Sequence, residues 1–240
     1  MKKLETSTAP RLDIYAPIHK GLRAMMMDTL AAVGRADVHD SAALHAVCER
    51  VLVLCDTCAS HLEHESTFVH PAMEAHRPGS TAQAAAEHED HLAAITELCA
   101  MARALHTANP AQAQAAQALY RKLALFVAEN FVHMHAEEAV HNPVLWACCS
   151  DEELQVLEGR IVASMPPAQN LLFMRWMVPA MAPAERAALL AGLQAAAPAA
   201  VLNAVLSAVQ PHLSQRDWEQ LTRALASAKT PALVPVEQAW

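Results

Sequence analysis

The chain has 240 residues, 54% of them hydrophobic, with a formal net charge of −8. That length allows one or two domains, the apolar fraction excludes a disordered chain, and an acidic balance without a basic stripe argues against a nucleic-acid partner. Five glycines are too few for a turn-rich sheet protein or a glycine-rich phosphate loop.

Residues 12–34 predict a first helix, with Ile14, Ile18, Leu22, Met25, Met26 and Leu30 at helical spacing. Pro17 either sits in its first turn or kinks it, and Gly34 is a C-terminal stop. Met25, Met26, Met27 and Met101 are expected in the core. Asp40 or Ser41 caps a second helix that runs to about Ala75, where His76-Arg-Pro-Gly79 breaks it. A third helix starts at Ser80 or Thr81 and runs to about Thr107. Asn109-Pro110 opens a fourth, which runs to about Ala147. Four helices with three short connections predict an all-α, up-down-up-down four-helix bundle over residues 1–149. Residues 150–240 read as a C-terminal helical extension. Ser150-Asp-Glu-Glu153 is a capping box, and Pro166, Pro167, Pro179, Pro183, Pro198 and Pro211 divide the extension into short helices. The stretch around Pro231 and Pro235 is expected to be a loose tail. Phe173, Trp176 and Trp218 carry no chemistry of their own, so this half is expected to pack on the bundle or to form a homodimer surface.

No apolar run reaches the ~18 residues of a membrane span. The two N-terminal lysines have no apolar segment behind them, so no signal peptide is expected. The six cysteines lie within helical patterns without framework spacing. A cytoplasmic protein with free thiols is the expectation. Cys55-Asp-Thr-Cys58 lacks a βαβ context and reads as core packing rather than a redox pair.

Fourteen histidines are the unusual feature, and thirteen of them lie between His19 and His141. Helix two carries His61-Leu-Glu-His-Glu65, and helix four carries His133-Met-His-Ala-Glu137. Each histidine is followed by Glu at +4 and by proline, Pro71 or Pro143, at +10. Four residues advance a helix by about 400°, so each His lies over its Glu. Two such pairs on different helices can converge on one interior and supply two imidazoles and two carboxylates to a metal centre. Helix one adds His19. Helix three adds His88 and His91, three apart and so on neighbouring faces. Mixed nitrogen and oxygen donors between helices point to a pair of iron or manganese ions, with zinc as a competitor.

Taken in order, Ile18-His19-Lys20, His61…Glu65…Pro71, Glu87-His88-Glu-Asp-His91 and Phe131-Val-His133…Glu137…Pro143 resemble the hemerythrin-like (HHE cation-binding) family. The resemblance covers about residues 12–147. It implies that His19, His61, Glu65, His133 and Glu137 are ligands, with the two glutamates bridging, and that His88, His91 or both complete the set. Oxygen-carrying members have two helix-three histidines four apart, and here the spacing is three. The implied cofactor is a pair of non-haem iron ions. The implied partner is O2, NO, peroxide or iron itself. Alternatives are a di-iron oxidoreductase that reduces NO or peroxide or repairs iron–sulfur centres, and a metal-dependent regulator.

Tyr15, one turn before His19, either hydrogen-bonds near the metals or caps the end of the bundle. His64, His70, His135 and His141 surround the two pairs. His70 and His141 are expected to be solvent-facing at a helix end, the alternatives being a secondary metal site or the lining of the bundle's entry. Glu138-Ala-Val-His141 matches the Glu-x-x-His of ferritin-like carboxylate sites. Helix two has no counterpart, because Phe68 stands three residues after Glu65, so that fold is rejected.

Overall fold

The computed structural model describes residues 11–105 and 112–228. Among these residues all regular structure is helical: α1 (Ala16–Gly34), α2 (Ser41–His64), α3 (His70–His76), α4 (Ala82–Leu105), α5 (Gln112–Ala136), α6 (Asn142–Cys148), α7 (Asp151–Ser164), α8 (Pro167–Ala180), α9 (Pro183–Ala196), α10 (Ala199–Val209) and α11 (Gln215–Ala228). None of these helices is long and apolar enough to cross a membrane. Asn109-Pro110 and the expected tail lie outside the described residues.

The chemistry at the helix ends explains the boundaries. Pro17 lies in the first turn of α1, where its missing N–H removes no helical bond. α1 ends at Gly34, where a side chain is excluded by close packing: a Cβ there would stand 2.9 Å from the Tyr120 ring. The Asp40 carboxylate accepts the backbone N–H groups of Ala42 and Ala43 and caps α2. Before α4, the Glu74 carboxylate accepts from the Gly79 and Thr81 backbones and from the Thr81 hydroxyl, across a turn in which Gly79 has φ +84°.

The first helices pack in a closed cycle: α1 on α2, α2 on α4, α4 on α5, and α5 on α1. Leu22, Met25 and Met26 of α1, Val51 and Leu54 of α2, Leu98 of α4 and Leu119, Leu123 and Phe126 of α5 are buried. Met27 departs from its expected core position. It lies one step round the helix from Met26 and is exposed. Cys55 and Cys58 are buried, and all six cysteines are free. Burial pushes the Cys58 thiol up to about 12, which leaves it protonated and unreactive at neutral pH.

Two helices are interrupted in a way the sequence expectation missed. α2 does not run unbroken to residue 75, nor α5 to residue 147. Each passes through one wide π turn, Glu65–Val69 and Glu137–His141. In each, a backbone N–H bonds five residues back: His70 to the Glu65 carbonyl, Asn142 to the Glu137 carbonyl. Pro71 and Pro143 come immediately after. A proline cannot donate to the carbonyl four residues back and its ring crowds it, and a wide turn relieves the clash.

The chain forms two compact units that divide between Pro166 and Pro167. The division comes one helix after the 149–150 boundary expected from the sequence. The Ser150–Glu153 capping box does start α7, but Leu154 and Leu157 then pack with Tyr15, Val69, Met73 and Leu145 in the first unit. In the second unit, Val178, Leu190, Leu202, Val205, Val209, Leu221 and Leu225 form a separate core. There Arg186 is buried and pairs with Asp217.

Candidate metal centre

Six of the seven residues singled out in the sequence come together in the first unit. His19 arrives on α1, His61 on α2, His88 on α4 and His133 on α5, while Glu65 and Glu137 open the two π turns. They form two groups of four: His19, His61, Glu65 and Glu137, and Glu65, His88, His133 and Glu137. Within each group one donor atom from every residue lies within 4.8 Å of the others. Both carboxylates belong to both groups.

The carboxylates divide their oxygens between the groups. Glu65 turns Oε1 to His61 Nε2 at 3.2 Å and to His19 Nε2 at 3.7 Å, and Oε2 to His88 Nε2 at 3.5 Å. Glu137 turns Oε2 to His19 Nε2 at 3.4 Å, and Oε1 to His133 Nε2 at 3.3 Å and His88 Nε2 at 3.9 Å. Glu65 is 3% exposed and Glu137 1%. All four of their oxygens and the four Nε2 atoms are buried without a hydrogen-bond partner. Buried polar atoms are rarely left so, and eight converging on one place could hold a metal ion. Donors sharing one ion at about 2.0–2.2 Å stand roughly 3–4 Å apart, which is the spacing seen. Imidazole with carboxylate and no sulfur suits first-row divalent metals.

The other ring nitrogens are held from outside the groups. His19 Nδ1 meets Glu138 at 3.0 Å, His133 Nδ1 meets Glu87 at 2.7 Å, and His88 Nδ1 meets the Ser66 hydroxyl at 3.0 Å. An Nδ1–H donated to a carboxylate fixes the tautomer and leaves Nε2 free to bind a metal. Arg23 holds Glu138 in turn with two hydrogen bonds. Burial pushes Glu138 up, but the His19 and Arg23 contacts outweigh it and leave it at about 2. In the sequence Glu138, Glu87 and Ser66 had no holding role, and Glu138 stood out only for its rejected ferritin-like match. Each stands beside a motif residue in the chain, but reaches a histidine on a different helix, so no spacing marks it.

Electrostatics within the site follow from burial and the two carboxylates. Burial pushes both glutamates up, yet the imidazoles around them hold both below the usual range. Burial alone would depress His88, but Glu137 and Glu65 raise it to about 9. His61 is lowered to about 4, chiefly by burial.

His91 stands outside both groups. Three residues from His88 is about 300° of helix, 60° short of the same face. Its ring stands edge-on to His133 and Phe126, and its Nδ1 is buried without a partner. His70 and His141 depart from their expected solvent-facing positions. Both are buried, and with Glu137 they make a third close group. In an unbroken α-helix His70 would face about 140° away from Glu65, and the π turn brings it back beneath that residue. Tyr15 is buried beside them, with its hydroxyl 3.3 Å from His141 Nδ1 and its ring 5.3 Å from that of His19. Comparison with family models, curated proteins and solved structures finds no match to the chain.

Proposed function

We propose that the first unit is a hemerythrin-like, up-down-up-down four-helix bundle holding two non-haem iron ions, and that the protein binds, senses or handles O2, NO, peroxide or iron. The observation that carries this reading is the pair of four-donor groups sharing both Glu65 and Glu137. His19 and His61 would hold one ion and His88 and His133 the other, with Glu65 and Glu137 common to both. When bound, such ions supply redox chemistry and open coordination positions for a small ligand. The chain's own part is to fix the imidazoles through Glu138, Glu87 and Ser66, and to keep bulk water from a buried interior. Manganese or zinc fits the same donors and is separated from iron by measurement. We place the protein in the cytoplasm, on the strength of its free cysteines.

A second reading, a di-iron oxidoreductase acting on NO or peroxide, is favoured by one observation. Only His88 of the α4 histidines belongs to a donor group. Four histidines and two shared carboxylates leave more positions open than a fuller histidine set would, which favours turnover over reversible carriage. The test of both is metal analysis of protein from an iron-replete host, followed by visible spectroscopy on passing from anaerobic to aerobic buffer. Two irons per chain with a stable oxygenated spectrum support a carrier. Two irons whose spectrum bleaches with consumption of ligand support the enzyme. Absence of bound metal after reconstitution rejects both.

A further inference from the structure

His91 has no place in either donor group, yet it is 5% exposed with Nδ1 unpartnered. It lines a groove of about 670 Å³ between α4 and α5, whose lining also includes His133. The groove therefore runs from the surface to a member of the donor set. Its lining carries Glu87, Asp90, Glu97 and Glu129 against a single base, Lys122. Lys122 pairs with Glu97, which leaves three carboxylates to set the charge of the opening. Ala93, Ala94 and Ala128 line it too, and their small side chains leave the space between the helices unfilled. At roughly 30 Å³ per water, the groove has room for a cation with its hydration shell.

We propose that this groove is the path by which divalent cations reach the buried centre, with the carboxylates of Asp90 and Glu129 gathering the hydrated ion and His91 binding it before it passes to His133. The proposal rests on the metal-centre reading. A cleft lined by one sign of charge raises the local concentration of the opposite ion and speeds capture by about ten- to a thousandfold. An imidazole at the inner end offers the first nitrogen donor and favours transition metals over magnesium or calcium. Glu87 borders the same path, but it accepts a hydrogen bond from His133, so the groove is tested through the other residues.

The experiment mixes metal-depleted full-length protein with cobalt(II) in a stopped-flow spectrometer and follows the visible absorption of the bound ion, with final cobalt content measured separately. The double variant Asp90→Asn/Glu129→Gln should take up cobalt about tenfold more slowly at low ionic strength and reach the same final content. Its rate should also depend less on salt than that of the natural chain. His91→Ala should likewise slow uptake without lowering the final content. Asp56→Asn/Glu63→Gln, the same change of charge at exposed positions on α2, should keep the natural rate. Natural rates in either groove variant, or equal slowing in the α2 variant, overturn the path while leaving the centre intact. Loss of one cobalt in His91→Ala makes His91 a resident ligand and overturns its role here. If the natural chain takes up no cobalt, the centre and the path fail together.

Discussion

An imidazole at a metal position works through one nitrogen and is aimed by the other. Removing a donor and removing what aims it should therefore have different effects. His61→Ala and Glu137→Ala each take away a donor, and each should lower metal content by at least one ion per chain by elemental analysis. Cys55→Ala and Cys58→Ala should leave metal content unchanged. Glu138→Gln and Glu87→Gln keep every donor but weaken the hold on His19 and His133. They should keep two ions at saturation and lower affinity by about 10- to 100-fold in competition with a chelator. The pH dependence has a definite sign. His88 sits at about 9 against an ordinary 6.5, so at pH 7.5 it holds a proton that a metal must displace. Loading in unbuffered solution should release at least one proton per chain, detected with an indicator dye, and affinity should rise with pH up to about 9. In the metal-free protein the same shift stabilises the fold below pH 6.5 and is lost as pH rises through about 9. The two His–Glu pairs of the cluster were legible in the sequence because His61–Glu65 and His133–Glu137 are one-turn pairs on single helices. Glu138, Glu87 and Ser66 were not, because each acts across to another helix, and tertiary packing alone decides which side chain it meets.

At the scale of elements, what the sequence hid is a change of helical pitch. Both His-x-x-x-Glu helices widen at the glutamate and resume their α form at or just before a proline. The Glu-to-proline spacing of six marks both places, but the same letters also suit an ordinary helix with a kink. The consequence is local and chemical. His70 and Asn142 occupy the same place after the two π turns, five residues beyond a glutamate, and both side chains are buried with unpartnered polar atoms. The starts of α2 and α7, in contrast, were readable, because a cap is a local hydrogen bond. Asp40 and Ser150 each cap the helix expected of them. Ser150→Ala breaks the Ser150–Glu153 capping box and should lower stability by about 1 kcal/mol in urea unfolding. Metal content should be unchanged, because α7 contributes no donor.

At the scale of the molecule, every member of the two donor groups lies between His19 and Glu137, but the core that supports them extends further. Leu154 and Leu157 of α7 close the cluster around Tyr15, Val69, Met73 and Leu145. That cluster borders both π turns in sequence, since Val69 ends one and Val144 and Leu145 come shortly after the other. The sequence placed the boundary at the end of α6, because a capping box looks like the start of something new and cannot say against which surface the new helix will lie. Two truncations separate the possibilities. A chain ending at Pro166 keeps the whole first unit and should bind metal at full stoichiometry. A chain ending at Cys149 keeps every donor but uncovers the faces that Leu154 and Leu157 bury. Two lost leucine side chains are worth roughly 1.5–3 kcal/mol each, a large share of the roughly 5–15 kcal/mol stability of an ordinary domain. The shorter chain should melt well below the longer one by calorimetry and should associate through the apolar surface it exposes. Saturating metal should recover part of the difference, because an ion bound only to the folded state stabilises by about 4 kcal/mol at a thousandfold excess over Kd. Equal melting temperatures for the two truncations would show that α7 lies outside the core assigned to it. Equal melting temperatures with and without bound metal, in either truncation, would show that the donors do not hold a buried cation.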